Sequence, residues 1–417
     1  MKKKQLFWKD VSSVFGIKVI IYILSFFSSV FIARILGPEG KGVLAIVTSI
    51  YTVGIQLLNF GMHSANTYYI SKNKQNVKKS IGNNLIIVVI SVLLCSVVFV
   101  VINIGGMFDE LDICLLLIAF LLIPIVLLTL LQKNIFIAIS KIGVYNQIEL
   151  LECVLYPILV FIVALNLQIY VKQVVICLLL AELIVAILSI TQCRKIGIEV
   201  SVDYFKKLII YGFKAYLSCL ASYLVLKADI FMLDYFLNSK EVGYYSLSSS
   251  LAEMIYMVSS SVSLILFPHL GTVQTTLEKV TFIKKVNKVM IPIMMSLVLI
   301  ALCVSSFIIP FLYGEAYTSS ILPFNILQIG TFFWAMSSYY YSFFASLNLF
   351  KITIIAPTIG LVVNIILNIF LIPLMGIAGA AISSMICYIL CFIIMVSYYN
   401  IFKKTLTRET EKDNKQK

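Results

Sequence analysis

Stretches of about 20 residues with few or no charges recur along this chain, and that length crosses a hydrocarbon core as an α-helix. Residues 85–104, 113–131 and 286–309 are three of them. Barrel strands are shorter and alternate polar with apolar residues, and these runs do neither. Charged residues make up 12% of the chain against 61% hydrophobic. A soluble globular domain carries about 25% charge, so too little is present here to coat a water-facing surface. The pattern predicts an all-α, polytopic membrane protein.

Charge, glycine, proline and asparagine mark the loops. They predict about twelve transmembrane helices, over roughly 11–36, 42–70, 81–104, 113–135, 147–165, 173–193, 208–236, 243–267, 286–311, 322–347, 353–372 and 378–400. No loop is long enough for a soluble domain. The expected organisation is an N-terminal six-helix lobe over 1–200, a C-terminal six-helix lobe over 201–402, and a basic, polar tail over 403–417. The N-terminus is basic (Lys2, Lys3, Lys4, Lys9), but the apolar run after it is long and further spans follow. It therefore reads as a first membrane helix and not as a cleaved signal peptide.

Lysine and arginine set the orientation. If the N-terminus is cytoplasmic, the cytoplasmic segments hold Lys72, Lys74, Lys78, Lys79, Lys133, Lys141, Arg194, Lys195, Lys206, Lys207, Lys279, Lys284, Lys285, Lys288, Lys351 and the tail from Lys403. The outer segments hold Lys41, Lys172 and Lys240, with Arg34 at a helix end and acids such as Asp109, Glu110, Asp112 and Glu315. Both termini are expected in the cytoplasm, as in a bacterial inner-membrane protein. The net charge of +13 is then a topology signal that calls for no nucleic-acid partner, and the basic face suits anionic membrane lipids. The nine cysteines include no CxxC pair and read as small buried hydrophobes. His63 and His269 stand alone and far apart, which argues against metal ligation.

The second half echoes the first. FGIK at 15–18 corresponds to YGFK at 211–214, and the turn ILGPEGKG at 35–42 to FLNSKEVG at 236–243. LIP at 122–124 pairs with ILP at 321–323, and Lys78-Lys79 with Lys284-Lys285. Six helices per half is even, so this predicts a parallel internal repeat about an axis along the membrane normal, with a site between the halves.

The stretch FIARILGPEGKGVLAIVTSIYTVGIQLLNFG at 31–61 resembles the opening of polysaccharide-export flippases of the Wzx type. These act on O-antigen or capsule repeat units and belong to the multidrug/oligosaccharidyl-lipid/polysaccharide exporter superfamily. Lys227-Ala-Asp229 followed by VGYYSLSSSLAE at 242–253, and the turn LYGEAY at 312–317, also resemble that group. The resemblance implies two six-helix bundles enclosing a V-shaped cavity. It implies movement of an undecaprenyl-pyrophosphate-linked oligosaccharide to the outer leaflet by alternating access, with a polysaccharide polymerase and a chain-length regulator as partners. No cofactor is implied beyond H+ or Na+ as a coupling ion. Lipid II flippases of the same superfamily are typically longer.

Ionisable groups inside spans usually line a polar path or pair with one another. Lys18 and Lys214 lie about two turns inside the cytoplasmic ends of helices one and seven. They either snorkel to the interface or form a cationic entrance for a pyrophosphate head group. Lys227 shares a helical face with Asp234, seven residues on, and reads equally as an ion pair or a substrate contact, while Asp229 lies on another face. Arg34 is either an interfacial anchor or a further cavity cation. Glu182 and Glu253 are the deepest acids, and with Asp229 they are candidates for pairing or ion coupling. Glu149 and Glu152 read as interfacial. Trp334 and Tyr339 to Tyr341 form an aromatic cluster whose default role is packing, with sugar stacking as the sharper alternative. Pro124, Pro157, Pro292, Pro323 and Pro357 lie within spans, where they can kink helices.

No nucleotide-binding loop is present, and neither a large outer loop nor a polar catalytic cluster argues for an enzyme. The competing reading is a cation-coupled drug or metabolite antiporter of the same fold. It calls for an acidic cavity, where the flippase calls for a cationic one.

Overall fold

In a computed structural model the described residues are 2–416 apart from 107, 109, 110, 140, 167, 168 and 274, and side chains are described for 16–406 apart from these and 71, 72, 166, 214, 215, 268 and 272. Lys2, Lys3, Lys4, Lys9, Lys72, Asp109, Glu110, Lys214 and the end of the tail therefore have side chains outside the described residues. The elements are α1 (Lys2–Leu58), α2 (Met62–Lys72), α3 (Val77–Gly105), α4 (Ile113–Ala138), α5 (Ile142–Asn166), α6 (Val171–Arg194), α7 (Val202–Phe236), α8 (Ser239–Thr272), α9 (Thr276–Tyr313), α10 (Ile321–Ser346), α11 (Phe350–Met375) and α12 (Ile377–Gln416), with short 3-10 turns at Lys74–Asn76 and Glu315–Ser320. No strand occurs among the described residues. Only helices or closed barrels satisfy every backbone group in hydrocarbon, and the chain takes the first solution.

Ten of these helices are long and apolar enough to cross a membrane. α1 counts among them once but is two helices: at Gly37 the backbone leaves the helical region (φ 65, ψ 179) and Pro38 follows. Left-handed φ favours glycine, and proline suits the start of the next helix. The remaining span is α10, which is absent from the ten. Separating the two arms of α1 and adding α10 gives the twelve spans expected. α3 and α11 turn apolar side chains outward, among them Val97, Val101, Ile104, Val362, Ile366 and Phe370. Such faces would aggregate in water and fit acyl chains.

The chain divides into two compact units, Met1–Tyr216 and Leu217–Lys417, with the boundary inside α7. In the first unit α4 is the hub, packing against α1, α2, α3, α5 and α6. In the second, α10 takes that place against α8, α9, α11 and α12. Both are the fourth span of their half, as the expected repeat requires of corresponding helices. The repeated turns also correspond: Gly37 breaks the first helix pair, and Asn238 caps the start of α8 by accepting from the Glu241 amide at 3.1 Å. The LIP/ILP match does not correspond. Pro124 lies in the body of α4 and Pro323 in the first turn of α10, where proline costs nothing because its missing N–H has no partner to lose.

Within the first unit, Gly61 at the α1–α2 joint has φ +71, and a Cβ there would lie 2.2 Å from the Gly212 carbonyl oxygen of α7. Two glycines let these backbones touch. Tyr216 secures the crossing by donating to the Leu57 carbonyl at 2.8 Å. The connection before α7 lies along α3. The Glu199 amide donates to the Lys78 carbonyl at 3.1 Å. The Asn83 side chain both donates to Ser201 (3.0 Å) and accepts from it (3.2 Å). At the start of α4, Asp112 caps the helix by accepting from the Cys114 amide at 2.8 Å. That bond, then Lys172, holds the Asp112 carboxyl below the usual carboxylate range.

A charged cluster and a buried carboxylate as the candidate functional site

In the first unit, α5 presents Tyr145, Glu149 and Glu152 at spacings of four and three, which place them on one helix face. Lys18 of α1 donates to Glu149 Oε2 through a very short contact. Its ammonium also sits 5.8 Å from the Tyr145 ring centroid. Lys133 of α4 bridges the two acids, 3.0 Å from Glu149 Oε1 and 2.6 Å from Glu152 Oε2. The result is a chain of alternating charge, Lys18–Glu149–Lys133–Glu152, running across three helices. Lys18 is its most exposed member, with 28% of its side chain accessible. Glu182 of α6 stands nearby, its Oε2 buried without a hydrogen-bond partner, and Glu152 and Lys133 are the charged groups that act on it.

This cluster adds to two sequence readings. Lys133, counted among the cytoplasmic charges at the end of the span 113–135, lies within α4, which continues to Ala138, and only 14% of its side chain is accessible. Glu149 and Glu152, read as interfacial, are the counter-charges of Lys133 and Lys18. The signal was present as two acids three residues apart in an otherwise apolar span.

In the second unit, Lys227 of α7 donates to Glu253 Oε1 of α8 at 2.8 Å. Sequence spacing alone offered Asp234 as its partner. In a bundle, the neighbouring helix supplied the counter-charge. Asp229, two residues on, faces the protein interior and is 1% exposed. Its Oδ2 accepts from Tyr245 of α8 and Ser384 of α12 through very short bonds, and its Oδ1 accepts from Asn368 of α11 at 2.7 Å. Asn368 also donates to Asn364 (3.1 Å), and Asn364 to Ser384 (3.2 Å). One carboxylate thus joins four helices through neutral donors. Asn364, Asn368, Ser384 and Tyr245 escaped the sequence reading, although two asparagines one turn apart in an apolar helix are a legible anomaly.

The other candidates are placed as follows. Arg34 lies exposed on α1, three residues before the Gly37 break. Lys214 lies on α7, its side chain outside the described residues. Trp334, Tyr339 and Tyr340 are buried, at 5%, 0% and 8% exposure, so this cluster packs the interior of the second unit. His63 contacts Asn59 at 2.7 Å and Ser64 at 3.0 Å, while His269 packs on Phe282 with ring centroids 4.5 Å apart.

Comparison with known proteins gives these arrangements a setting. An O-antigen transporter, so described by its name, from Shigella flexneri is 27% identical over 191 residues. That match spans 45% of this chain and 45% of the relative, so the chain covers about half of the curated protein it resembles. Among solved structures, a lipid II flippase, MurJ, in an inward closed conformation superposes with a TM-score of 0.78 at 16% identity, over 92% of this chain and 86% of that one. An inward-facing multidrug-resistance MATE transporter of the MOP superfamily gives 0.76 at 13% identity, over 93% and 95%. At such identities the likeness is one of fold. Residues 31–322 match the family described as "Polysaccharide biosynthesis protein"; the chain belongs to that family, as a multi-pass membrane protein with the fold seen in a lipid II flippase and a MATE transporter.

Proposed function

We propose that this protein is a flippase that carries an undecaprenyl-pyrophosphate-linked oligosaccharide from the inner to the outer leaflet of the bacterial cytoplasmic membrane, for surface polysaccharide assembly. The family match over residues 31–322 carries this reading. The physical problem is a dianionic head that must pass about 30 Å of hydrocarbon, which calls for positive charge along a wet, shielded path. Lys18, Lys214, Lys227 and Arg34 are the cations proposed to supply it. Lys18 and Lys227 each keep a carboxylate partner, which moderates their attraction and lets the substrate leave. Asp229, Glu253 and Glu182 are proposed to couple the cycle to H+ or Na+, and the polymerase and chain-length regulator are proposed to take over the product. We assign no catalytic role.

Reconstituted vesicles test the reading. The protein is expected to expose a fluorescent isoprenyl-diphosphate oligosaccharide to outside quencher, and alanine at both Lys214 and Lys227 is expected to abolish this with insertion unchanged. Arginine at both sites should retain more activity, since the charge survives. Wild-type export by the double alanine variant would make these lysines anchors. Exchange of an organic cation for H+ or Na+, with no movement of the lipid, would instead favour the antiporter.

The orientation is part of the proposal: both termini cytoplasmic. Introduced cysteines in 105–112 and 312–318 should react with an impermeant maleimide on intact cells, and those in 72–79 and 279–288 should not. Labelling of Lys74→Cys from outside would reverse the topology.

A further inference from the structure

A lysine that waits in a bilayer for a diphosphate lipid meets a competitor at every moment. Bulk phospholipids offer phosphodiester heads, each with a single negative charge, in vast excess over any biosynthetic intermediate. A bare ammonium would be occupied by them. Lys18 is not bare: it is partly accessible and held by Glu149.

We propose that Glu149 is a specificity residue that occupies the anion position of Lys18 and shields it from single-charged phospholipid head groups, yielding to the doubly charged diphosphate. The inference rests on the reading of Lys18 as part of the substrate path. Exchange of one prepositioned carboxylate for one phosphodiester substitutes like for like. The incoming group gains no Coulomb energy and must give up its own hydration and freedom. A diphosphate diester brings two charges and several acceptor oxygens, so the exchange favours it.

The cluster also makes the exchange reversible. Glu149 uses one oxygen for Lys18 and the other for Lys133. When Lys18 leaves, Glu149 keeps a cation at 3.0 Å, so no carboxylate is stranded. Lys133 in turn is tied to Glu152 at 2.6 Å, which fixes it on α4 as the retained partner. Tyr145 offers the released ammonium a resting face, 5.8 Å away. A simple ion pair would lack this property, because breaking it would bury an orphan charge.

The test is binding of farnesyl-diphosphate-linked N-acetylglucosamine to the purified full chain. It is measured in nanodiscs of phosphatidylcholine and of phosphatidylcholine with phosphatidylglycerol. Lys18→Ala gives the baseline for general repulsion of an anionic probe by an anionic surface. Relative to that baseline, the wild type should bind equally in both lipids. Glu149→Gln should bind about fivefold tighter in phosphatidylcholine, as releasing a partly exposed ion pair allows, and phosphatidylglycerol should erase the gain. Glu149→Asp, which is shorter but keeps its charge near Lys133, should shift in the same direction by less, and covers the case in which the glutamine variant fails to fold. The double variant Lys18→Ala/Glu149→Gln should show no gain. Equal lipid sensitivity of wild type and Glu149→Gln would overturn the shielding role. Wild-type affinity in Lys18→Ala would instead remove Lys18 from the diphosphate path, a failure of the underlying reading.

Discussion

Asp229→Ala is expected to lower the stability of the second unit by about 2–4 kcal/mol, read as a large fall in the thermal midpoint of the detergent-purified protein. The change leaves the hydroxyls of Tyr245 and Ser384 and the amide of Asn368 without their acceptor. Each buried donor so orphaned costs about 1–3 kcal/mol, less where neighbours re-pair, as happens among polar groups in membrane proteins. Asp229→Asn keeps an acceptor oxygen, and hydroxyls can turn to accept, so its cost should be near 1 kcal/mol. The pair of variants separates structure from coupling. A stable Asp229→Asn protein that no longer transports supports an ion-coupling role. An alanine variant that melts like the wild type would mean the four-helix junction is held by something else.

The second large effect is at Lys133. Lys133→Ala takes from Glu152 its cation at 2.6 Å and leaves the other oxygen, Oε1, already without a partner. Removing one member of a buried pair costs about 3–5 kcal/mol because the other charge stays behind. The variant should express poorly and elute as aggregate. Adding Glu152→Gln should restore most of the loss, since the stranded charge goes and Glu149 still holds Lys18. Non-additivity of this size is the signature of a shared network. Independent, additive effects of the two substitutions would dissolve the cluster as a functional unit.

How much of this was legible in the sequence follows from the range of each signal. Span lengths and the break at Gly37-Pro38 are local, and they read directly from hydropathy and backbone chemistry. The hub role of α4 and α10 was not legible, since nothing in one helix says how many others surround it. Lys227 shows the limit for sites. Heptad spacing found a carboxylate on its own helix, whereas Glu253 reaches it from α8. Glu149 was underrated for the same reason. Its partners come from α1 and α4, 131 and 16 positions away, and helical periodicity is blind to both.

α10 has a consequence for how the protein is made. The fourth span of the first half, α4, is strongly apolar and can partition into the bilayer as it leaves the ribosome. Its counterpart is less apolar and carries Ser337, Ser338, Ser342 and three tyrosines in a row. The polar groups of α10 find partners on neighbouring helices: Ser338 meets Ser263 of α8 at 2.7 Å, Tyr340 accepts from Asn287 of α9 at 2.9 Å, and Tyr340 packs on Tyr399 of α12 with ring centroids 5.1 Å apart. The two halves share a central fourth helix, but the second builds its own with serines and tyrosines that need neighbours, so insertion of α10 is expected to lean on the helices around it more than that of α4.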